Sequence, residues 1–140
     1  MPFTNRTNKG LLDTLFGKTS VFGALGTAPT IHLAVSSTTP TAAGTNFTEP
    51  TNGSYARITT AAGDWNTATS ASPSVLDNVS DEDFPAATAD WDNSPVTHIG
   101  LFDASSSGNL LGYGTLSPSR DINSGDTLRI PSGGLDVTLT

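Results

Sequence analysis

The sequence predicts an all-β fold: an antiparallel β-sandwich or jelly roll with a short N-terminal helix. Three observations carry this. Only 14% of the residues are charged, and Ser and Thr together outnumber the charged residues; branched Thr favours strands, whereas Ser favours turns. The 14 Gly and 9 Pro are scattered along the chain and leave no room for long helices. Apolar residues recur in short runs bounded by turn residues, at a spacing of roughly 8–15 residues that suits a sandwich rather than parallel βαβ units. A length of 140 residues fits an arm over residues 1–29 and one β-sandwich domain over residues 30–140.

Residues 5–16 form the one good helix candidate. Asn5 or Thr7 caps it, Leu11, Leu12, Leu15 and Phe16 form an apolar stripe, and Gly17 ends it. A helix this short needs a surface to pack on, either its own sheet or a neighbouring subunit. Thr30–Ser36 reads as a strand with Ile31, Leu33 and Val35 on one face. The loop Ser37–Ser54 that follows is long for a small domain, which marks it for function or partner contact. Tyr55–Thr60 is the next strand, and Gly63 begins a weaker segment running to Ala71.

Ser74–Ser80 reads as a strand with Val75 and Val79 alternating. Phe84–Asp103, FPAATADWDNSPVTHIGLFD, is the most telling stretch: its last part, Val96–Asp103, is apolar on both sides and belongs inside a sheet. Phe84, Trp91, Ile99 and Leu101 are the expected core, with the Asp residues as a solvated rim. Asn109–Leu116 returns as a hairpin partner. Thr127–Pro131 and Leu135–Thr140 form a last hairpin around Gly133-Gly134, with Leu135, Val137 and Leu139 facing inward.

The net charge of −7 argues against direct nucleic-acid binding, which draws on Lys and Arg neutralising phosphates. Charge is unevenly placed. Arg6, Lys9 and Lys18 lie near the start, while Asp77, Asp81, Glu82, Asp83, Asp90 and Asp92 follow one another with no basic residue between them. The basic end and the acidic middle could meet head to tail in an assembly, or both could be solvated. With no Cys, disulfides, thiolate metal sites and a Cys nucleophile are excluded. No apolar run approaches a membrane span, and the start lacks the pattern of a signal peptide.

Candidate chemistry is thin. His32 and His98 both fall in strands and read as ordinary strand histidines; there is no G-x-S-x-G elbow. The acidic cluster lacks an EF-hand pattern, and successive acids on a strand point to opposite faces, so a rim outweighs a Ca²⁺ site. Trp65, Trp91, Tyr55 and Tyr113 could stack on sugars or simply pack the core. No phosphate-binding glycine loop is present. No catalytic, cofactor-binding or metal residues are assigned.

Several blocks occur in a telling order: LLDTLFG, PTIHLAVSSTTP, EPTNGSYARI, FPAATADW, VTHIGLFDA, GNLLGYGTL, SGDTLRI and LDVTLT. This resembles a family of small virion structural proteins of tailed bacteriophages, labelled head-decoration (cement) or tail-fibre proteins. The resemblance runs from residue 11 to the end and implies no catalytic residue and no cofactor. The leading expectation is a cement protein on the outside of the phage head, bridging major capsid subunits. It would act as a homo-oligomer, a trimer among the options, with no nucleic acid and no membrane as partner. Arg6, Lys9, Leu11, Leu12, Leu15, Phe16 and Lys18 would supply the contacts with the capsid or a neighbouring subunit. The alternative is a tail or tail-fibre component, with its aromatic residues or Ser/Thr loops facing host-surface sugars.

Overall fold

The computed structural model describes residues 5–18 and 28–139, with the side chains of residues 5–8 excepted. The elements are α1 (Asn5–Leu15), β1 (His32–Ser36), β2 (Ile58–Thr59), β3 (Ser74–Asp77), β4 (Glu82–Asp83), β5 (Val96–Phe102), β6 (Leu110–Arg120), β7 (Arg129–Ile130) and β8 (Asp136–Leu139). Every strand pairing whose register is resolved is antiparallel, so the fold is all-β, with one short α-helix among the described residues, as the sequence predicts. The strands form a four-stranded sheet of order β2-β1-β5-β6, a β3-β8 ladder and a β4-β7 ladder. The chain folds as two compact units: Met1–Thr30, Ala61–Glu82 and Ile130–Thr140 form the first, Ile31–Thr60 and Asp83–Arg129 the second.

In the first unit α1 packs on β3 and β8. The helix ends where Gly17 takes a positive φ of 67°, a conformation that costs glycine little; Lys18 N–H then bonds the Asp13 carbonyl at 2.7 Å. The apolar stripe divides. Leu12 and Phe16 are buried, Leu15 is half-buried and Leu11 is exposed. Phe16 meets Trp65 edge to face, with ring centroids 4.5 Å apart. Asp13, on the same helix, is fully buried. Its carboxylate accepts the Ala68 N–H at 2.9 Å and pairs with Lys9 one helical turn earlier. A buried charge is tolerated only when so partnered.

β3 buries the face opposite to the one its valines indicate. Ser74, Leu76 and Asn78 point inward, while Val75 is half-buried and Val79 is exposed. The fully buried Leu76 alone contributes about 2 kcal/mol from area removed from water. The two polar residues beside it can be buried because they are satisfied. Ser74 Oγ donates to the Thr69 carbonyl, and the Asn78 amide donates to the Ser80 and Pro131 carbonyls and accepts from Leu135 N–H. These last two bonds also explain why the expected hairpin of β7 with β8 does not form. Pro131 has no N–H to extend a ladder, and Asn78 grips the chain on both sides of Gly133-Gly134 and delivers β8 to β3. Leu135, Val137 and Leu139 do take the inward side relative to their exposed neighbours Asp136 and Thr138.

In the second unit β1 is buried at every position. It lies between β2 and β5, and β5 lies between β1 and β6, so β5 is internal as its two-sided apolar pattern requires. Only Ile58–Thr59 of the expected strand Tyr55–Thr60 pairs as a strand. Phe84, Trp91, Ile99 and Leu101 are all buried. Tyr55, Phe84 and Trp91 form one aromatic cluster, with Tyr55 and Trp91 edge to face at 5.1 Å.

Candidate functional site

The loop Ser37–Ser54 is the longest connection of the second unit, and it is tied down along its whole course. Ser36 Oγ accepts from Thr48 N–H at 2.8 Å and donates to the Thr38 carbonyl at 2.9 Å. Thr38 Oγ1 donates to the Asn46 carbonyl, and Asn46 returns a bond from its amide to the Thr39 carbonyl, both at 2.7 Å. Thr41 and Thr45 join their hydroxyls at 2.7 Å. The Thr-rich composition thus serves as a set of short-range ties, a use of hydroxyls that favours turns over ladders.

The far end of this loop is clamped by Glu49, Tyr55 and Arg57. Arg57 grips Glu49 with two parallel N–H···O bonds of 2.9 and 2.7 Å. Its remaining terminal nitrogen donates to the carbonyls of Ala104 and Ser107, each at 2.8 Å. The guanidinium carbon lies 3.7 Å from the centre of the Phe102 ring, a favourable cation–π stack. Tyr55 donates its hydroxyl to Glu49 at 2.7 Å and accepts from Val35 N–H at 3.2 Å. Burial first, and then the Glu49 carboxylate, hold the Tyr55 phenol far above its ordinary pKa, so it stays a donor. One side chain, Arg57, therefore fixes both the long loop and the β5–β6 turn.

The expected acidic rim is exposed at Asp81, Asp83, Asp90 and Asp92, and several of the acidic residues also anchor loops. Asp92 accepts from Thr51 N–H at 2.7 Å, from the Thr51 hydroxyl and from Asn93 N–H at 3.0 Å. Asp90 accepts from Ser124 N–H, and Asp103 from Asn109 through both its backbone and its amide. Asp83 is held by a two-pronged Arg129 contact, with both bonds 2.7 Å. These bonds favour the charged form, so the Asp92, Asp103 and Asp83 carboxyls lie below their ordinary pKa; the Thr51, Asn109 and Arg129 side chains are the leading causes. No group of three His, Asp or Glu residues that could hold a metal ion occurs among the described residues. His32 and His98 sit in β1 and β5, their Nδ1 atoms within hydrogen-bond distance of Thr59 and Thr97 hydroxyls.

Next to the tied loop runs a shallow groove of about 130 Å³, lined by Thr41, Ala42, Gly44 and Leu110–Tyr113. Leu111 and Tyr113 on its wall are 40% and 45% exposed. Trp65 and Trp91 are both buried, the core-packing outcome of the two that the sequence left open, and Tyr55 is engaged in the clamp, which leaves Tyr113 as the open aromatic of that set. Of the N-terminal contact candidates, Leu12 and Phe16 are built into the first unit's core, Leu15 is half-buried and Lys9 is paired with Asp13. Leu11 is exposed and Lys18 half-buried. The Arg6 side chain lies outside the described residues. Glu49 and Arg57 stand in the block EPTNGSYARI, but the sequence reading gave them no role, although a signal existed: beyond residue 18 the chain holds only three basic residues, and one of them follows Tyr55 by two positions.

The class of protein that this geometry defines is a β scaffold presenting rigidly tied loops, with the order held by long-range side-chain bonds. A family model described as podophage GP4 fiber I protein gp80 matches residues 2–138, and the chain belongs to that family. It is a virion structural protein of a phage, and a structural family of this kind points away from catalysis. No curated protein matches the sequence.

Proposed function

We propose that the protein is a component of a phage tail fibre and occupies the tail rather than the outside of the head. The observation that carries this is the match of residues 2–138 to a family described as a fibre protein. The architecture supports it. A fibre subunit has to transmit load without changing shape, and here loops that would otherwise be mobile are tied by Arg57, Asp92 and Asp103. Support for the capsid-cement expectation is weaker, because the helix expected to dock on the capsid commits Leu12, Asp13 and Phe16 to its own unit. Its partners are then neighbouring fibre or tail subunits, repeated by symmetry so that modest contacts add up.

Gold-labelled antibody against the chain, imaged on intact virions, tests the proposal. Label confined to the tail is the expected result. Label distributed over the head shell would overturn the fibre reading and restore the cement one.

A further inference from the structure

β6 is the outermost strand of its sheet, eleven residues long, and alternate residues of such a strand turn their N–H and C=O groups outward with no partner strand. Soluble proteins commonly guard an edge of this kind with charge, above all Lys. Here the opposite holds. From Ala104 to Ser119 there is no charged residue, nor is there one from Leu33 to Thr48, the stretch that supplies the facing wall of the groove. In a chain of net charge −7, this is a neutral strip where a second copy can approach without like-charge repulsion.

The regular part of the edge is short and self-complementary. β6 keeps step with β5 from Gly112 to Thr115, a register shift precedes Gly112, and another follows Thr115. Pro118 further on has no N–H to offer. The usable edge is the regular stretch Gly112–Thr115 extended by the bulge residue Leu111, with Tyr113 at its centre. Side chains alternate along it, with Leu111, Tyr113 and Thr115 exposed and Gly112 and Gly114 between them.

We propose that this edge pairs antiparallel with the same edge of a second copy, about a two-fold axis through Tyr113. The two tyrosines then lie directly opposite each other, and Leu111 of each copy faces Thr115 of the other. The glycines leave the backbones free to approach. Aromatic and apolar pairs directly across an antiparallel ladder are stabilising, and like charges there are destabilising. The pairing does not depend on where in the virion the protein sits.

The full chain tests this in two ways. In sedimentation velocity across a concentration series, the native protein should reach twice its monomer mass of 14.4 kDa. Leu111→Lys with Tyr113→Lys, with far-UV circular dichroism unchanged, should raise the dimer dissociation constant by about tenfold or more. The chain has no Cys, so a single introduced thiol reports its own neighbour. Tyr113→Cys should cross-link rapidly under mild oxidation, because directly opposed Cα atoms lie about 4.5–5.5 Å apart, within disulfide reach. Ser105→Cys, on the exposed turn before the strand, should remain largely unlinked. A protein monomeric up to about 100 µM overturns the proposal. So does a trimer, a dimer indifferent to the two lysines, or equal cross-linking at both thiols.

Discussion

Replacing Arg57 by Ala removes the clamp of the second unit, and the structure fixes the scale of the loss. Four N–H···O bonds disappear, two to a carboxylate and two to backbone carbonyls, together with the stack on Phe102. Severing one partner of a well-buried ion pair costs about 3–5 kcal/mol, because the other charge is stranded. The Arg57 side chain is only 6% exposed but that of Glu49 is 25% exposed, so water partly recovers the carboxylate, and Tyr55 still donates to it. Ser107 is exposed and its carbonyl can be hydrated. These allowances bring the expected loss to about 3 kcal/mol, roughly 10 °C in melting temperature for a chain of this length. Arg57→Lys keeps the charge but not the two-pronged geometry and should lose about half as much. Thermal melts followed by circular dichroism, with urea titrations of constant slope, measure both variants. A drop under about 2 °C for Arg57→Ala would refute the view that this one side chain holds two loops.

Three further outcomes are expected. Gly53 has a φ of +61° and a Cβ there would lie 2.5 Å from the Ala89 carbonyl oxygen and 2.8 Å from Trp91 Cδ1, so Gly53→Ala should cost about 2 kcal/mol or more in a urea titration. Asp13→Ala strands the Ala68 N–H and the Lys9 ammonium and should destabilise by about 2–3 kcal/mol, whereas Leu11→Ala on the exposed helix face should stay within about 0.5 kcal/mol; equal losses would mean the helix buries a different face. Asp92, Asp103 and Asp83 have folded pKa values below their unfolded ones, so their contribution is complete above the ordinary Asp value near 4 and is lost as pH falls through the lower folded values. Melting temperature should therefore drop below about pH 4, and Asp92→Asn, less stable at pH 7, should converge on the native protein at the acid end.

How much of this was legible in advance differs from residue to residue. Gly17 as a helix stop, β5 as an internal strand, and Phe84, Trp91, Ile99 and Leu101 as core were all readable, because each depends on local pattern or on a side chain's own aversion to water. β3 was readable as a strand but its inner face was not, because its valines outnumber Leu76, while Ser74 and Asn78 become interior residues through bonds to Thr69, Pro131 and Leu135. The last hairpin failed for the same reason. Gly133-Gly134 is a genuine turn, but Asn78, more than fifty residues earlier in the chain, determines where the strands on either side of it go.

The acidic residues show the same division. Their number and their clustering are plain in the sequence, and so is their distance from Arg6, Lys9 and Lys18. That Asp92 holds Thr51, Asp90 holds Ser124 and Asp83 holds Arg129 is not, since each bond spans more than thirty residues. By itself the sequence determined the all-β class, the short N-terminal helix, the burial of Phe84, Trp91, Ile99 and Leu101, and kinship with phage structural proteins. The structural properties among these follow from composition, periodicity and turn chemistry, which act over a few residues; the kinship was read from the order of the sequence blocks. Only the tertiary structure decided which strands pair at the C-terminus, which face of β3 is inside, that Arg57 is a clamp and that the edge of β6 is open. Each of these depends on polar groups finding partners far along the chain, and a buried or edge-bound hydrogen bond takes its value from who the partner is.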